Sequence, residues 1–411
     1  MINSDVLENR AITPFDVSDG ALYSENRWQE PFARLRREMP VSYLPDSPYG
    51  PYWSVVTHDL VQQVELDPKT YSSSYEVGGI TITDGSGEYE FPNFIAMDAP
   101  IHTAQRKVVQ PSFNPSEMLA REPEIRARTR ELFDALPVGE TFDWVEEVSV
   151  KLTIGMLCVL FDFPWEQWRD MKRWSDTASE VSPEQSDERL QKFFAEMYQM
   201  LGKFDELFEK ERKQPPNDKI LNRIIHSEAM GNMPEMERLA NIALLIVGGN
   251  DTTRNSMSGF VRACNMFPDQ FELLRNDPSL VPNAAQEIIR WQSPVTHMRR
   301  TTTCETELGG QIIPAGEKII LWYISANRDE KLFPNPDIVD FTRDNARRHI
   351  AFGHGVHRCV GARLAEMQLA VLFEEILGRN IRVEQDGPLT YSGSCFLHEI
   401  DHMPVKMVPI G

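Results

Sequence analysis

The chain has 411 residues, 41% of them apolar and 25% charged, with 62 acidic against 42 basic side chains and a formal net charge of −20. That is enough apolar material for a large buried core, while so acidic a chain disfavours nucleic acid and anionic membranes as partners. No run of about eighteen apolar residues is present to span a membrane. The five cysteines (Cys158, Cys264, Cys304, Cys359 and Cys395) show no C-x-x-C spacing, which disfavours a disulfide framework or a zinc site and suggests a reducing cytoplasm.

In chain order, residues 1 to about 30, with Asp5, Glu8 and Asp16, lack the layout of a secretory signal and are expected as a loose leader with one short helix. Residues 30–39 pattern as a charged amphipathic helix, 41–43 and 52–57 as two strands joined by a Pro/Gly turn, and 58–66 as a helix stopped by Pro68. Residues 70–95 break any period. Gly78, Gly79, Gly85 and Gly87 alternate with Ile80, Ile82, Phe91 and Phe94, and this apolar content favours a lid or pocket wall over a solvated linker. Asp98 is placed to cap a helix with Pro100 early in it. His102 and Arg106, four apart on that helix, share a face and can hold a carboxylate. Residues 117–213 are mostly helical by periodicity. The stripe Phe193, Phe194, Met197, Met200, Leu201, Phe204 and Phe208 reads as a core or helix–helix face rather than a ligand wall.

Residues 234–266 form the longest helical pattern. Leu239, Ile242, Ala243, Leu245, Ile246 and Val247 make it apolar on most sides, so it should cross the middle of the fold. Gly248-Gly249-Asn250-Asp251-Thr252-Thr253 then interrupts it. Two glycines cost about 1 kcal/mol each relative to alanine, and an acid with two hydroxyls adds desolvation cost. Local rules broken together mark a functional site; the plainer alternative is a kink or a close helix crossing.

Further on, Glu287 and Arg290 form an intrahelical pair. Val295, Met298, Arg299 and Arg300 follow, then a strand pair with a tight turn at 312–316 and a meander from 327. The meander leads to Phe352-Gly353-His354-Gly355-Val356-His357-Arg358-Cys359-Val360-Gly361, where one cysteine ends a glycine-rich loop that enters a helical pattern. The positive end of a helix favours thiolate over thiol. Gly353, Gly355 and Gly361 leave room for something large and flat. A thiolate offered to a flat partner suggests an iron porphyrin, because thiolate is the axial ligand suited to O–O cleavage. Arg343, Arg347, Arg348, Arg358 and Arg363 surround the loop against one acid, Asp344, and invite an anionic partner.

The cysteine loop resembles the heme-binding loop of the cytochrome P450 family, the heme-thiolate monooxygenases. The pairs His102/Arg106 and Glu287/Arg290 and the segment 248–252 (small residue, Gly, any, acid, Thr) carry the resemblance over nearly the whole chain. It implies a mainly α fold with a small β region, one triangular helical domain over 1–411 around a long central helix. It implies heme b (iron protoporphyrin IX) with Cys359 as metal ligand, Phe352 and Gly353 in the loop, and His102, Arg106, Arg300 and His357 on the propionates, with Arg299 in reserve for Arg300. Arg343 would complete a structural clamp with Glu287 and Arg290. Asp251 and Thr252 carry over as the pair that delivers protons to O2. No flavin or nicotinamide domain is apparent, so electrons would come from a ferredoxin with its reductase. The segment 245–257 looks like the bacterial branch that hydroxylates the terminal carbon of alkanes and fatty acids. A pocket of Ile80, Ile82, Phe94, Leu245, Gly249, Val295, Met298 and Phe396, with Phe396 at a hairpin tip, fits medium-chain aliphatics and also a terpene or steroid. The lack of a membrane anchor suggests the soluble, cytoplasmic kind. Two other classes compete: a non-catalytic heme sensor, which leaves Asp251-Thr252 unexplained, and a zinc or thiol hydrolase using Cys359 with His357, which lacks an orienting third group.

Overall fold

The computed structural model describes residues 10–84, 91–181, 184 and 186–410. Nine helices position the site: α1 (His58–Glu65), α2 (Ile101–Val109), α3 (Pro115–Ala135), α4 (Lys151–Phe161), α5 (Trp168–Ser179), α6 (Asp187–Arg212), α7 (Glu235–Met266), α8 (Val281–Gln292) and α9 (Ala362–Gly378). The larger sheet holds β1 (Val41–Leu44), β2 (Tyr52–Val55), β3 (Tyr71–Ser72), β4 (Met298–Thr302) and β5 (Lys318–Leu321) in the order β1-β2-β5-β4-β3. Only the β2–β5 pairing is parallel; the others are antiparallel. The fold is mainly α with a small β region. Among the described residues no helix is long and apolar enough to cross a membrane.

Helix α7 crosses the centre of the main core, with Leu239, Ile242 and Ile246 buried and α4, α5, α8 and α9 packed around it. It runs unbroken from Glu235 to Met266, through the two glycines that were expected to interrupt it. Its surroundings explain this. A Cβ on Gly249 would stand 2.6 Å from Leu157 Cδ2, so α4 crosses there at close range. A Cβ on Gly248 would meet nothing within 4 Å. One glycine lets a helix approach and the other faces open space. The polar residues beyond them are buried but partnered, as interior polar groups must be. Thr153 Oγ1 donates to Asn250 Oδ1 (2.6 Å), Asn250 Nδ2 donates to Ser175 Oγ (3.0 Å), and Asn255 Nδ2 donates to the Asp251 carbonyl (2.8 Å). In α6 the stripe lies in the main core from Met197 to Phe208, while Phe193 is half-buried and meets Phe91 edge to face at 5.8 Å.

The segment before α2 departs from expectation. Asp98 does not cap the helix, which starts at Ile101 after Pro100. Its carboxylate instead accepts from Ser72 Oγ and from the Ser73 N–H (3.0 Å). Residues 82–84 are drawn onto the sheet by two cations. Arg299 Nη1 donates to the Thr83 carbonyl (3.1 Å) and to Asp84 Oδ1 (2.7 Å). Lys318 Nζ donates to Asp84 Oδ2 (2.8 Å) and to the Ile82 carbonyl (3.0 Å). This turns Ile82 into a second core with Trp28, Phe32 and Trp322. Gly85 and Gly87 lie outside the described residues.

Several histidines are buried and neutral. Burial lowers His297, His349 and His398 to about 3. The unfolded chain takes up these protons below about 6.5, whereas the folded chain does not until about 3. Stability is therefore lost as pH falls through this window, by roughly 2 kcal/mol per histidine at pH 5. Urea unfolding should show a lower midpoint at pH 5 than at 7.5, and H398Q should shrink the difference. An unchanged difference in H398Q would mean that the ring is charged or solvated in the folded protein.

Candidate active site

The cysteine loop is folded onto its own backbone before α9 begins. The Cys359 N–H donates to the Phe352 carbonyl (2.7 Å) and the Gly353 N–H to the Ile350 carbonyl (2.9 Å). Burial pushes the Cys359 thiol up, while the Gly361 N–H and the Arg358 and Arg106 guanidiniums pull it down. In the protein alone burial prevails. The Gly361 N–H at the start of α9 acts in the direction expected of a helix terminus, and a bound cation would add to that pull. The other cysteines sit differently. Cys158 lies in the main core, Cys395 lies in the second core with Sγ 3.6 Å from Tyr49 Oη, Cys264 is half-buried, and Cys304 is exposed. Cys359 alone combines partial exposure with two neighbouring guanidiniums.

Beside the loop lies a nest for anions. The rings of His102 and His357 lie with centroids 4.1 Å apart and planes tilted by 41°. His102 Nε2 and His357 Nδ1 are buried without partners. Burial, reinforced by Arg106 at His102 and by Arg300 at His357, lowers them to about 4 and about 2, so both rings are neutral. Arg106 Nη2 donates to the Arg358 carbonyl. Arg300, from β4, donates Nη1 to the Arg299 carbonyl (2.7 Å) and Nη2 to Glu65 Oε1 (3.3 Å). Arg299 is committed to Asp84 and takes no part. Unpartnered ring nitrogens, each able to carry the proton of its neutral ring, lie near two guanidinium donors, which fits the two carboxylates of an iron porphyrin. Sequence reasoning missed Glu65, which is buried behind this nest. It accepts from Tyr323 Oη as well as from Arg300, and burial raises it. No local pattern marks it, because its partners lie more than 200 residues away.

On α7, Gly248 is exposed although its helix is central, and Thr252 is half-buried one turn on. Thr252 Oγ1 donates to the Gly248 carbonyl (3.2 Å). Asp251 points the other way and has no exposed surface. It accepts from Asn250 Nδ2 (2.9 Å) and Ser175 Oγ (3.2 Å) and pairs with Arg254 Nη2 (3.0 Å); burial raises it, and Arg254 pulls against that. Arg254 stands three residues after Asp251, a spacing the sequence offered and the expectation passed over.

The expected pocket residues divide. Ile80, Val295 and Met298 are half-buried and keep accessible surface. Phe94 and Leu245 are buried in the main core, and Phe396 is buried with its ring 5.4 Å from His297. Ile82 has no accessible surface and cannot line an open pocket; Arg299 and Lys318 hold it in the second core. Gly249 packs against Leu157 yet stays half-buried, and on α7 it keeps accessible surface together with Leu244, Val247, Gly248 and Thr252.

Comparison with known proteins agrees with this geometry. The family model described as Cytochrome P450 matches residues 133–388. A linalool 8-monooxygenase from Pseudomonas putida is 37% identical, over 96% of this chain and 99% of that protein. A methyl-branched lipid omega-hydroxylase from Mycobacterium bovis is 31% identical, over 95% and 91%. Among solved structures, a cytochrome P450-153 from Novosphingobium aromaticivorans superposes with a TM-score of 0.92 at 49% identity, covering 96% of this chain and 99% of that one.

Proposed function

The chain belongs to the cytochrome P450 family and is a heme-dependent monooxygenase, and from that premise we propose that Cys359 is the axial ligand and that the substrate is hydroxylated at the terminal (omega) carbon of a medium-chain alkane or fatty acid. The observation that carries the site assignment is a partly exposed cysteine two residues from His357, whose unpartnered ring nitrogen lies beside that of His102.

The heme supplies O2 activation and oxygen insertion into a C–H bond. The chain supplies the rest. Cys359 Sγ would hold the iron, within reach of the Gly361 N–H. His102, Arg106, Arg300 and His357 would seat the two carboxylates. Thr252 Oγ1 holds a proton at the open face, anchored on the Gly248 carbonyl. Asp251, on the closed side of the same helix, passes protons inward. Ile80, Val295, Met298, Leu244 and Val247 exclude water and orient an apolar chain. Electrons arrive from a ferredoxin served by its reductase. Arg347, Arg348, Arg358 and Arg363 are exposed to meet an acidic carrier, whereas Arg343 is buried in its clamp and unavailable.

Terminal attack is supported by the resemblance of residues 245–257 to the alkane-hydroxylating branch and by a 31% identical omega-hydroxylase. A terpene is the second reading, favoured by the linalool 8-monooxygenase at 37% identity. The reduced protein with carbon monoxide should give a strongly red-shifted Soret band that Cys359→His abolishes; a band kept in that variant would overturn the ligand assignment. With an n-alkane the product should be the primary alcohol, and exclusively internal alcohols would overturn terminal hydroxylation.

A further inference from the structure

Asp251 has no exposed surface, so a proton it gives up must be replaced through its neighbours. Those neighbours are Asn250, Ser175, Ser179 and Arg254, and a guanidinium stays charged and cannot pass a proton on. Arg254 Nη2, however, is shared. It pairs with Asp251 Oδ1 at 3.0 Å and also with Glu399 Oε1, while Nη1 pairs with Asp176 Oδ1 at 3.1 Å. Two carboxylates therefore meet on one nitrogen, close enough for a single water or a side-chain rotation to join them. Their side chains form a gradient of exposure, from 0% at Asp251 through 18% at Glu399 to 40% at Asp176. Arg254 Nε is buried without a partner, so the cluster is not closed by its own hydrogen bonds.

We propose that Glu399 is the solvent-side carboxyl that reprotonates Asp251. The inference rests on the reading of Asp251 as proton donor. The O–H bond of Glu399 breaks as that of Asp251 forms, and solvent returns the proton to Glu399, so no charge accumulates. Glu399 lies between helix and hairpin, just before the strand Ile400–His402, and faces Arg254 and Asp251 of α7, Asp176 of α5 and Asp401 of its own segment. One guanidinium among these carboxylates leaves the group over-negative when all are ionised. Burial raises Glu399 to about 7, against the pull of Arg254 and with the push of Asp251, Asp401 and Asp176. It can thus hold a proton at neutral pH. Glu399 acts through Asp251 and not on the reacting atoms.

The test compares wild type with E399Q, E399D and D251N as heme-loaded proteins. With the ferredoxin and its reductase, wild-type turnover should fall as pH rises through about 7. E399Q should lose that dependence, slow by roughly tenfold and show a larger solvent isotope effect, while E399D restores the pH limb. Independently of turnover, the resting wild type should show a carboxylic-acid C=O infrared band titrating near pH 7 that is missing from E399Q. If either variant fails to fold, this band in the wild type still decides, since its absence refutes the proposal. A wild-type pH profile and isotope effect in E399Q would overturn the inference while D251N remained slow. Unimpaired turnover in D251N would instead overturn the underlying role of Asp251.

Discussion

Glu287→Ala should leave a protein that cannot retain heme. The carboxylate accepts from Arg290 Nε (2.7 Å) and Nη2 (2.8 Å), from Arg343 Nε (3.0 Å) and from the Asp340 N–H (3.0 Å), and it is wholly buried. Its partners in turn carry the meander. Arg290 Nη1 donates to the carbonyls of Asn327 and Pro336, and Arg343 Nη1 to that of Pro334. Removing one member of a buried ion pair strands the others in low dielectric and costs about 3–5 kcal/mol. Two arginines are stranded here, and the segment they organise runs directly into the cysteine loop. The substitution should therefore lower the urea midpoint sharply and abolish the red-shifted carbon monoxide band. Glu287→Gln, which keeps the shape and loses the charge, should fall between. A Glu287→Ala protein with an unchanged spectrum would mean that the loop folds without the clamp.

The sequence carried most of this arrangement because its strongest signals are local. Helix α7 is legible from continuous apolar residues, the Glu287/Arg290 pair from helical spacing, and the cysteine loop from its glycines. What stayed hidden depends on neighbours far along the chain. The α7 glycines read as a break because the sequence does not say that Leu157 fills the space at Gly249. Asp98 reads as a cap until Ser72 and Ser73 claim its oxygens. Ile82 reads as pocket wall until Arg299 and Lys318, more than 200 residues on, fasten its segment to the sheet. Arg343 is expected both in the basic patch and in the clamp, and its pairing with Glu287 gives it to the clamp. In each case a residue had two satisfactory fates, and a neighbour distant in sequence chose between them.

Gly355→Ala should be far more damaging than its chemistry suggests, for a reason unconnected with heme. Its backbone has φ of +64°, and a Cβ there would overlap the Glu65 carbonyl oxygen at the end of α1. Gly316 offers a matched control, since its φ is +84° but a Cβ would meet nothing within 4 Å. Gly316→Ala should therefore show conformational strain alone, about 1–2 kcal/mol, with the Soret band of the reduced carbon monoxide complex unchanged. Gly355→Ala carries the same strain plus a clash with backbone, which cannot rotate aside as a side chain can. Relief requires moving the loop away from α1, and Cys359 sits four residues on, tied to Phe352 by its own N–H. Displacing the loop also disturbs Glu65, and through it Arg300 in the carboxylate nest. The expected result is loss of the thiolate band in Gly355→Ala at temperatures where Gly316→Ala keeps it. Equal behaviour of the two would mean that the loop can slide on α1, and that the close fit between them does not hold the cysteine in place.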